Sequence, residues 1–316
     1  MTLTDWLNES KFKVREYGLV DGITSSAYDF WSGALRRGFH RAGADQLGTS
    51  IYDRDWDALV VLDTARVDAM EAVADEYDFL PSHVPPETSL GSTSWEWLHR
   101  NFTPERSAEL AETAYVTANA HTRRFGDEFQ VGPDAFGLLD EVWEYAWDEG
   151  FGGMPPESVT DRAISVGRET DYDRLIVHYM QPHTPYRTLD VSNVDSREQG
   201  EMTRSEWDLL QTGQLDRDVA WEAYLDNLRW GLDEVETLLE NLDADTVVLT
   251  ADHGEAFGEW GIYGHIRHVP LPELRQVPWV KLSASDDETY EPSLEHAETQ
   301  VSDDAVEERL RALGYK

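Results

Sequence analysis

The sequence predicts an α/β protein built on a buried sheet, and three stretches carry that expectation. Asp57-Ala58-Leu59-Val60-Val61-Leu62-Asp63, Arg174-Leu175-Ile176-Val177-His178-Tyr179-Met180 and Thr246-Val247-Val248-Leu249-Thr250-Ala251-Asp252 are apolar, β-branched runs of strand length, as expected of strands covered on both faces. Two of them stop at an acid. Helical periodicity from Asp218 to Leu242 reads as a long crossover into the last one. Sheets of this kind hold their ligands beyond the carboxyl ends of the strands.

Composition sets the outer limits. A chain of 316 residues suits one large α/β domain or two small ones. It shows no internal repeat and no clean linker. With no cysteine, disulfides, thiolate zinc sites and cysteine nucleophiles are excluded. Acidic residues outnumber basic ones 63 to 26, a formal net charge of -37, yet 12 Trp, 13 Tyr and 10 Phe are far too many for a disordered acidic chain. Hydrated carboxylates on a folded surface suit concentrated salt, which points to a halophilic cytoplasm. The same field argues against nucleic acid, whose phosphates need clustered Lys and Arg. No window approaches 18 apolar residues and no secretion pattern opens the chain, so the expectation is a soluble, cytoplasmic protein.

In chain order, residues 1–50 stand apart from 51–316. Their six basic residues (Lys11, Lys13, Arg15, Arg36, Arg37, Arg41) balance six acidic ones. Ser25 to Phe39 sets aromatic and basic residues along a helix that either covers its own domain or docks peripherally on a membrane or a protein. After the strand ending at Asp63, a helix is expected from Val67 to about Tyr77. Pro85-Pro86 forces extension, and Gly91-Ser92-Thr93-Ser94 before Trp95-Glu96-Trp97-Leu98 reads as a loop entering a helix. From about 104 to 170 helices and loops are expected, with Trp143, Tyr145 and Trp147 in an acidic helix. Pro182 and Pro185 flank His183 in a stiff extended loop after the strand at 174–180. Ser205 to Gln214 is a further helix, Val277 to Leu282 a further strand, and Asp304 to Leu313 a closing helix.

The chemistry gathers at strand ends. Asp252-His253 pairs a hard oxygen with an imidazole, a combination suited to divalent first-row ions, and Asp63 ends a second strand that can face the same ion. The alternative is an ordinary cap and turn. The hydroxyls of residues 92–94 are either a helix N-cap or a nucleophile where free backbone N–H groups can hold an oxyanion, or one hydroxyl caps while its neighbour attacks.

Asp63 with Arg66, Gly91-Ser92-Thr93-Ser94, Pro182-His183-Thr184-Pro185-Tyr186, Asp252-His253-Gly254-Glu255 and Gly264-His265 resemble the alkaline phosphatase superfamily, in its sulfatase-like branch that includes lipoteichoic acid synthase. With the composition, the chain resembles a halophilic archaeal type. The resemblance runs from about residue 57 to 282. It implies a three-layer α/β/α sandwich with a mostly parallel central sheet. It implies Thr93 as nucleophile, Asp63, Asp252 and His253 (with the Thr93 hydroxyl) as metal ligands, and His183 and His265 facing the substrate. The chain departs from formylglycine sulfatases, having no cysteine and no Cys/Ser-x-Pro-x-Arg motif, and it carries Thr64 where they have a second Asp.

The expectation is a metal-dependent phosphoester hydrolase or phosphotransferase using one divalent ion, Mn²⁺ before Mg²⁺, Ca²⁺ or Zn²⁺. Arg66, His183, His265 or His268 would supply positive charge to a small-molecule, glycan or lipid-linked ester. A sulfatase without formylglycine and a catalytically idle ligand-binding relative are the alternatives.

Overall fold

A computed structural model describes residues 3–43, 47–189 and 205–297, with 302, 305–307 and 309 of the terminal segment. Its helices are α1 (Leu3–Tyr17), α2 (Leu19–Ala42), α3 (Val67–Val73), α4 (Ser94–Asn101), α5 (Ser107–Ala111), α6 (Pro156–Glu169), α7 (Glu206–Gln211), α8 (Arg217–Leu239) and α9 (Pro272–Arg275). Its strands are β1 (Ala58–Leu62), β2 (Pro86–Thr88), β3 (Thr113–Thr117), β4 (Leu138–Glu141), β5 (Arg174–Tyr179), β6 (Ala244–Thr250), β7 (Ala256–Phe257), β8 (Tyr263–Gly264) and β9 (Gln276–Ala284).

Seven strands form one sheet in the order β2-β9-β6-β1-β5-β3-β4, and β7 pairs with β8 apart from it. Strands β6, β1, β5, β3 and β4 run parallel, while β9 is antiparallel to both β6 and β2. Alternate side chains enter two cores, as the two-residue period of a strand requires. Val60 and Leu62 of β1, with Val177 and Val247, meet the faces of α3, α6 and α8. Leu59, Val61, Ile176 and Val248 point the other way, against Trp97, Leu98 and Phe102 of the α4 region. Helices therefore cover both faces, and the fold is the expected three-layer sandwich with a mostly parallel sheet.

The crossover into β6 shows how sequence sets this packing. Tyr224, Leu228, Leu232 and Val235 are buried at helical spacing along α8. Tyr224 also anchors the turn after β1: its hydroxyl donates to Thr64 O at 2.8 Å and accepts from the Arg66 N–H at 3.0 Å.

Three expectations are corrected. Residues 104–170 include strands β3 and β4, and Val142–Glu144 is a single 3-10 turn in place of the acidic helix. β3 is a five-residue run, buried throughout, that follows α5 with only Glu112 between them, so no turn residue announces it. The loop around His183 is a tight turn, not extended: its N–H donates to Met180 O at 2.8 Å, and Asn227 Nδ2 donates to His183 O and Pro185 O at 3.1 and 2.9 Å. The helix expected from Val67 to Tyr77 stops at Val73 and continues as a 3-10 turn to Glu76. Most of the expected closing helix at 304–313 lies outside the described residues, of which 305–307 and 309 are helical.

Helices α1 and α2 pack against each other. Tyr28, Leu35 and Phe39 of α2 rest on Ala256, Ile262, Val269, Leu271 and Leu274, the segment that carries His265. Among the described residues no helix is long and apolar enough to cross a membrane.

Candidate active site

The central strands β1, β5 and β6 deliver Asp63, His183 and Asp252-His253 to one edge of the sheet. One ligand atom from each of Asp63, Asp252 and His253 lies within 4.8 Å of the others. His253 Nε2 is 3.7 Å from Asp63 Oδ1 and 3.5 Å from Asp252 Oδ2. His253 Nδ1 is turned to Gly254 O at 2.8 Å, which leaves Nε2 on the side of the acids. Gly254 is required there, because a Cβ would meet Glu273 O at 2.1 Å.

All three side chains are wholly buried, and their polar atoms are unevenly satisfied. Asp63 Oδ2 accepts from Asn119 Nδ2 at 2.8 Å and Ser94 Oγ at 3.2 Å, and Asp252 Oδ1 accepts from the N–H groups of Thr64 and His253 at 3.2 and 2.8 Å. Asp63 Oδ1, Asp252 Oδ2 and His178 Nε2 have no hydrogen-bond partner among the described residues. Burial pushes the Asp63 carboxyl well above the usual carboxylate range, and the neighbouring Asp252 charge pushes the same way. Burial also raises Asp252, opposed chiefly by His178. Two buried acids with unpaired oxygens and an adjacent imidazole are costly without a cation between them. A divalent ion satisfies both oxygens and the charge, so the residues present fit a metal. His178, held at Nδ1 by Tyr115 Oη at 2.8 Å, lies beneath them, with Nε2 3.9 Å from Asp63 Oδ2 and 3.8 Å from Asp252 Oδ2.

At the entrance of α4 the two hydroxyls divide the roles of cap and site. Thr93 is the N-cap, and its Oγ1 accepts from the Glu96 N–H at 3.3 Å. Ser94 Oγ donates to Asp63 Oδ2 and stands 3.2 Å from His253 Nε2. The structure therefore brings Ser94, one residue beyond the expected Thr93, to the cluster of Asp63, Asp252 and His253. Gly91 permits this turn, since a Cβ would lie 2.5 Å from Trp97 N. Ser92 faces away, donating from Oγ to Glu96 Oε2 at 2.6 Å and to Ile266 O at 2.9 Å. Glu96, almost wholly buried, also accepts from the His268 N–H at 3.2 Å, tying the α4 entrance to the loop after His265.

A second group adjoins the first. His183, Glu255 and His265 also offer ligand atoms within 4.8 Å of one another, and the ring centroids of His253 and His265 are 4.5 Å apart. His265 Nδ1 lies 3.0 Å from Glu255 Oε1. Burial disfavours charge on His265, but Glu255 outweighs it and holds the imidazole above its ordinary value. Burial lowers His183 well below the usual histidine range, and His265 adds to that.

Arg66 is held by acids and a backbone carbonyl. Its guanidinium binds Asp68 through Nε and Nη2 at 2.8 and 2.6 Å, and Nη1 donates to Glu255 O and Glu259 Oε1. It is a structural cross-link between α3 and the segment after β6. Ser94 was among the hydroxyls the sequence offered, behind Thr93, whereas Asn119, Glu96 and the pairing of Glu255 with His265 were not singled out from sequence. Asn119 follows β3 by two residues, so recognising that strand would have exposed it.

No family model matches the chain, and no curated protein matches it. Solved structures do resemble it. The soluble domain of lipooligosaccharide phosphoethanolamine transferase A from Neisseria meningitidis is 16% identical, over 70% of this chain and 75% of that one, with a TM-score of 0.47. The periplasmic domain of the phosphoethanolamine transferase EptC from Campylobacter jejuni is 16% identical over 73% and 79%, with a TM-score of 0.45. A zinc complex of the corresponding Escherichia coli domain is 11% identical over 75% and 76%, with a TM-score of 0.46. Similarity of this extent assigns no residue a role.

Proposed function

We propose that this chain is a metal-dependent phosphoester hydrolase or phosphotransferase whose attacking hydroxyl stands at the entrance of α4. One observation carries the reading: Asp63, Asp252 and His253 converge with two unpaired buried oxygens while Ser94 Oγ stands 3.2 Å from both Asp63 Oδ2 and His253 Nε2. Asp63, Asp252 and His253 would hold a divalent cation, Mn²⁺ by preference, with Mg²⁺, Ca²⁺ or Zn²⁺ as other occupants. When bound, such an ion lowers the pKa of a hydroxyl and offsets the charge of a phosphate.

The chain's own groups complete the chemistry. Ser94 Oγ would pass its proton to Asp63 Oδ2 and attack phosphorus in line as the P–O bond to the leaving group breaks, forming a phosphoserine that water or an acceptor alcohol then cleaves. Asp63 and Asn119 fix the hydroxyl and its carboxylate partner. His265, whose pKa Glu255 raises, would hand a proton to the leaving oxygen. His183 adjoins His265, with ring centroids 5.2 Å apart. The substrate is a small-molecule, glycan or lipid-linked phosphoester.

Thr93 is the second reading for the nucleophile, since the family resemblance selects it and its hydroxyl adjoins that of Ser94. The test is hydrolysis of paired aryl phosphate and aryl sulfate substrates with Mn²⁺ in concentrated KCl. Metal-dependent cleavage of the phosphate is expected, with loss of turnover in Ser94→Ala. Cleavage of the sulfate alone would instead make this a sulfuric ester hydrolase. Metal binding with no turnover of any ester would leave an idle ligand-binding relative.

A further inference from the structure

Helix α2 has one apolar face covered by described residues and, beside it, an apolar stripe that is largely exposed. Tyr28, Leu35 and Phe39 pack on the segment that carries His265. Beside that face Leu19, Val20, Ile23, Phe30 and Trp31 are 66, 74, 55, 57 and 46% exposed. At 100° per residue these five lie within an arc of about 120°, so they form one stripe and not scattered exposures. A contiguous apolar face left in water marks a surface that meets something.

Charge indicates what it meets. Both acids of α2 are drawn off the stripe: Asp29 accepts from Lys13 Nζ at 2.5 Å and Asp21 from Gln214 Nε2 at 3.0 Å. Arg37 and Arg41 fall on the same arc as the stripe and are exposed, and neither makes an ion pair with any described residue. In a chain of net charge -37, two arginines with no ion-pair partner among the described residues thus close one end of an apolar helical face. That is the arrangement of a helix lying in a lipid interface, with apolar groups below the headgroups and guanidinium groups at the phosphates. We propose that this face of α2 docks the protein on an anionic lipid bilayer. The acidic remainder does not prevent it, because salt at physiological strength screens charges beyond about 8 Å and residues 1–50 carry balanced charge.

The docking face is tied to the candidate site. Tyr28 Oη donates to Tyr263 O at 3.0 Å and Trp31 Nε1 to Trp260 O at 2.9 Å, both in the segment leading to His265. A bilayer bound along α2 would lie beside that segment, so an ester resident in the membrane could reach the site without leaving it. This last step rests on the proposed function, whereas the docking does not.

The experiment is flotation of the full chain with vesicles of phosphatidylglycerol and phosphatidylcholine, and with phosphatidylcholine alone, at the lowest KCl at which circular dichroism shows it folded. Binding to the anionic vesicles is expected. Leu19→Glu with Val20→Glu, at the exposed start of α2, should weaken partitioning by at least about tenfold, and Arg37→Gln with Arg41→Gln by about fivefold for each arginine. Turnover of a soluble ester by these variants should be unchanged, which separates failure of the docking from failure of the chemistry. Absence of wild-type flotation would overturn the proposal, as would equal flotation of the Leu19/Val20 variant. Equal binding to phosphatidylcholine alone would overturn the anionic assignment. A dimer in sedimentation velocity that Val20→Glu makes monomeric, without flotation, would give the face to a second copy of the chain.

Discussion

Ser94 Oγ stands 3.2 Å from His253 Nε2, and Thr93, one residue earlier, spends its hydroxyl on the Glu96 N–H. The two residues are chemically alike, so the helix entrance alone separates their roles. Ser94→Ala should reduce turnover of an aryl phosphate by at least about a thousandfold with unchanged thermal unfolding. Thr93→Ala should cost about 1 kcal/mol of stability through the lost cap, with most turnover retained. Unfolding curves and initial rates on both variants check this, and the reverse pattern of rates would return the nucleophile to Thr93.

Metal should stabilise the fold as well as activate it. At a hundredfold excess over Kd, Mn²⁺ adds about 2.7 kcal/mol to stability if it binds only the folded chain. Treatment with a chelator should lower Tm and abolish turnover, and re-addition should restore both. Asp252→Asn should remove the metal-dependent rise in Tm. A normal rise in that variant would place the ion elsewhere.

The Asp63 carboxyl gives the metal-free protein a pH dependence of definite sign. Because burial and Asp252 raise its folded-state pKa, the folded chain binds this proton more tightly than the unfolded chain. Stability is therefore greatest below the unfolded value of about 4 and is lost as pH rises toward the raised folded value. Repulsion among surface carboxylates acts in the same direction, so the comparison must be with Asp63→Asn. Denaturant titrations of the chelated proteins from acid to neutral pH should show a shallower slope in the variant. Identical slopes would mean that Asp63 is not perturbed.

Glu255 should set the alkaline limb of the rate profile. It holds His265 above the ordinary histidine pKa, and a proton donor fails once pH passes its pKa. Glu255→Gln should move the fall in kcat to lower pH while leaving the protein folded. A limb that stays in place would remove His265 as the proton donor.

Much of this site was legible before folding. A β-branched run that ends in an acid or imidazole announces both a buried strand and a side chain at its carboxyl edge, so the positions of Asp63, Asp252, His253 and His183 at strand ends were visible, as was the sandwich that joins them, whereas the turn that holds His183 was not. Strands β3 and β4 were not. Each is short, β3 follows a helix with no turn residue between them, and β4 is an edge strand ending in Asp140 and Glu141. Asn119 was lost with them, and its bond to Asp63 spans 56 positions.

The sequence by itself determined which residue types stand at the ends of the central strands, because hydrophobic periodicity and chain breaks are local properties. Only the tertiary structure decided which neighbouring hydroxyl faces the acids, that Arg66 is committed to Asp68 and Glu259, and that Glu255 raises the pKa of His265. Those outcomes depend on side-chain direction and on burial imposed by distant segments. Two adjacent residues at a helix entrance point different ways, and an arginine pairs with whichever carboxylates the fold brings near it.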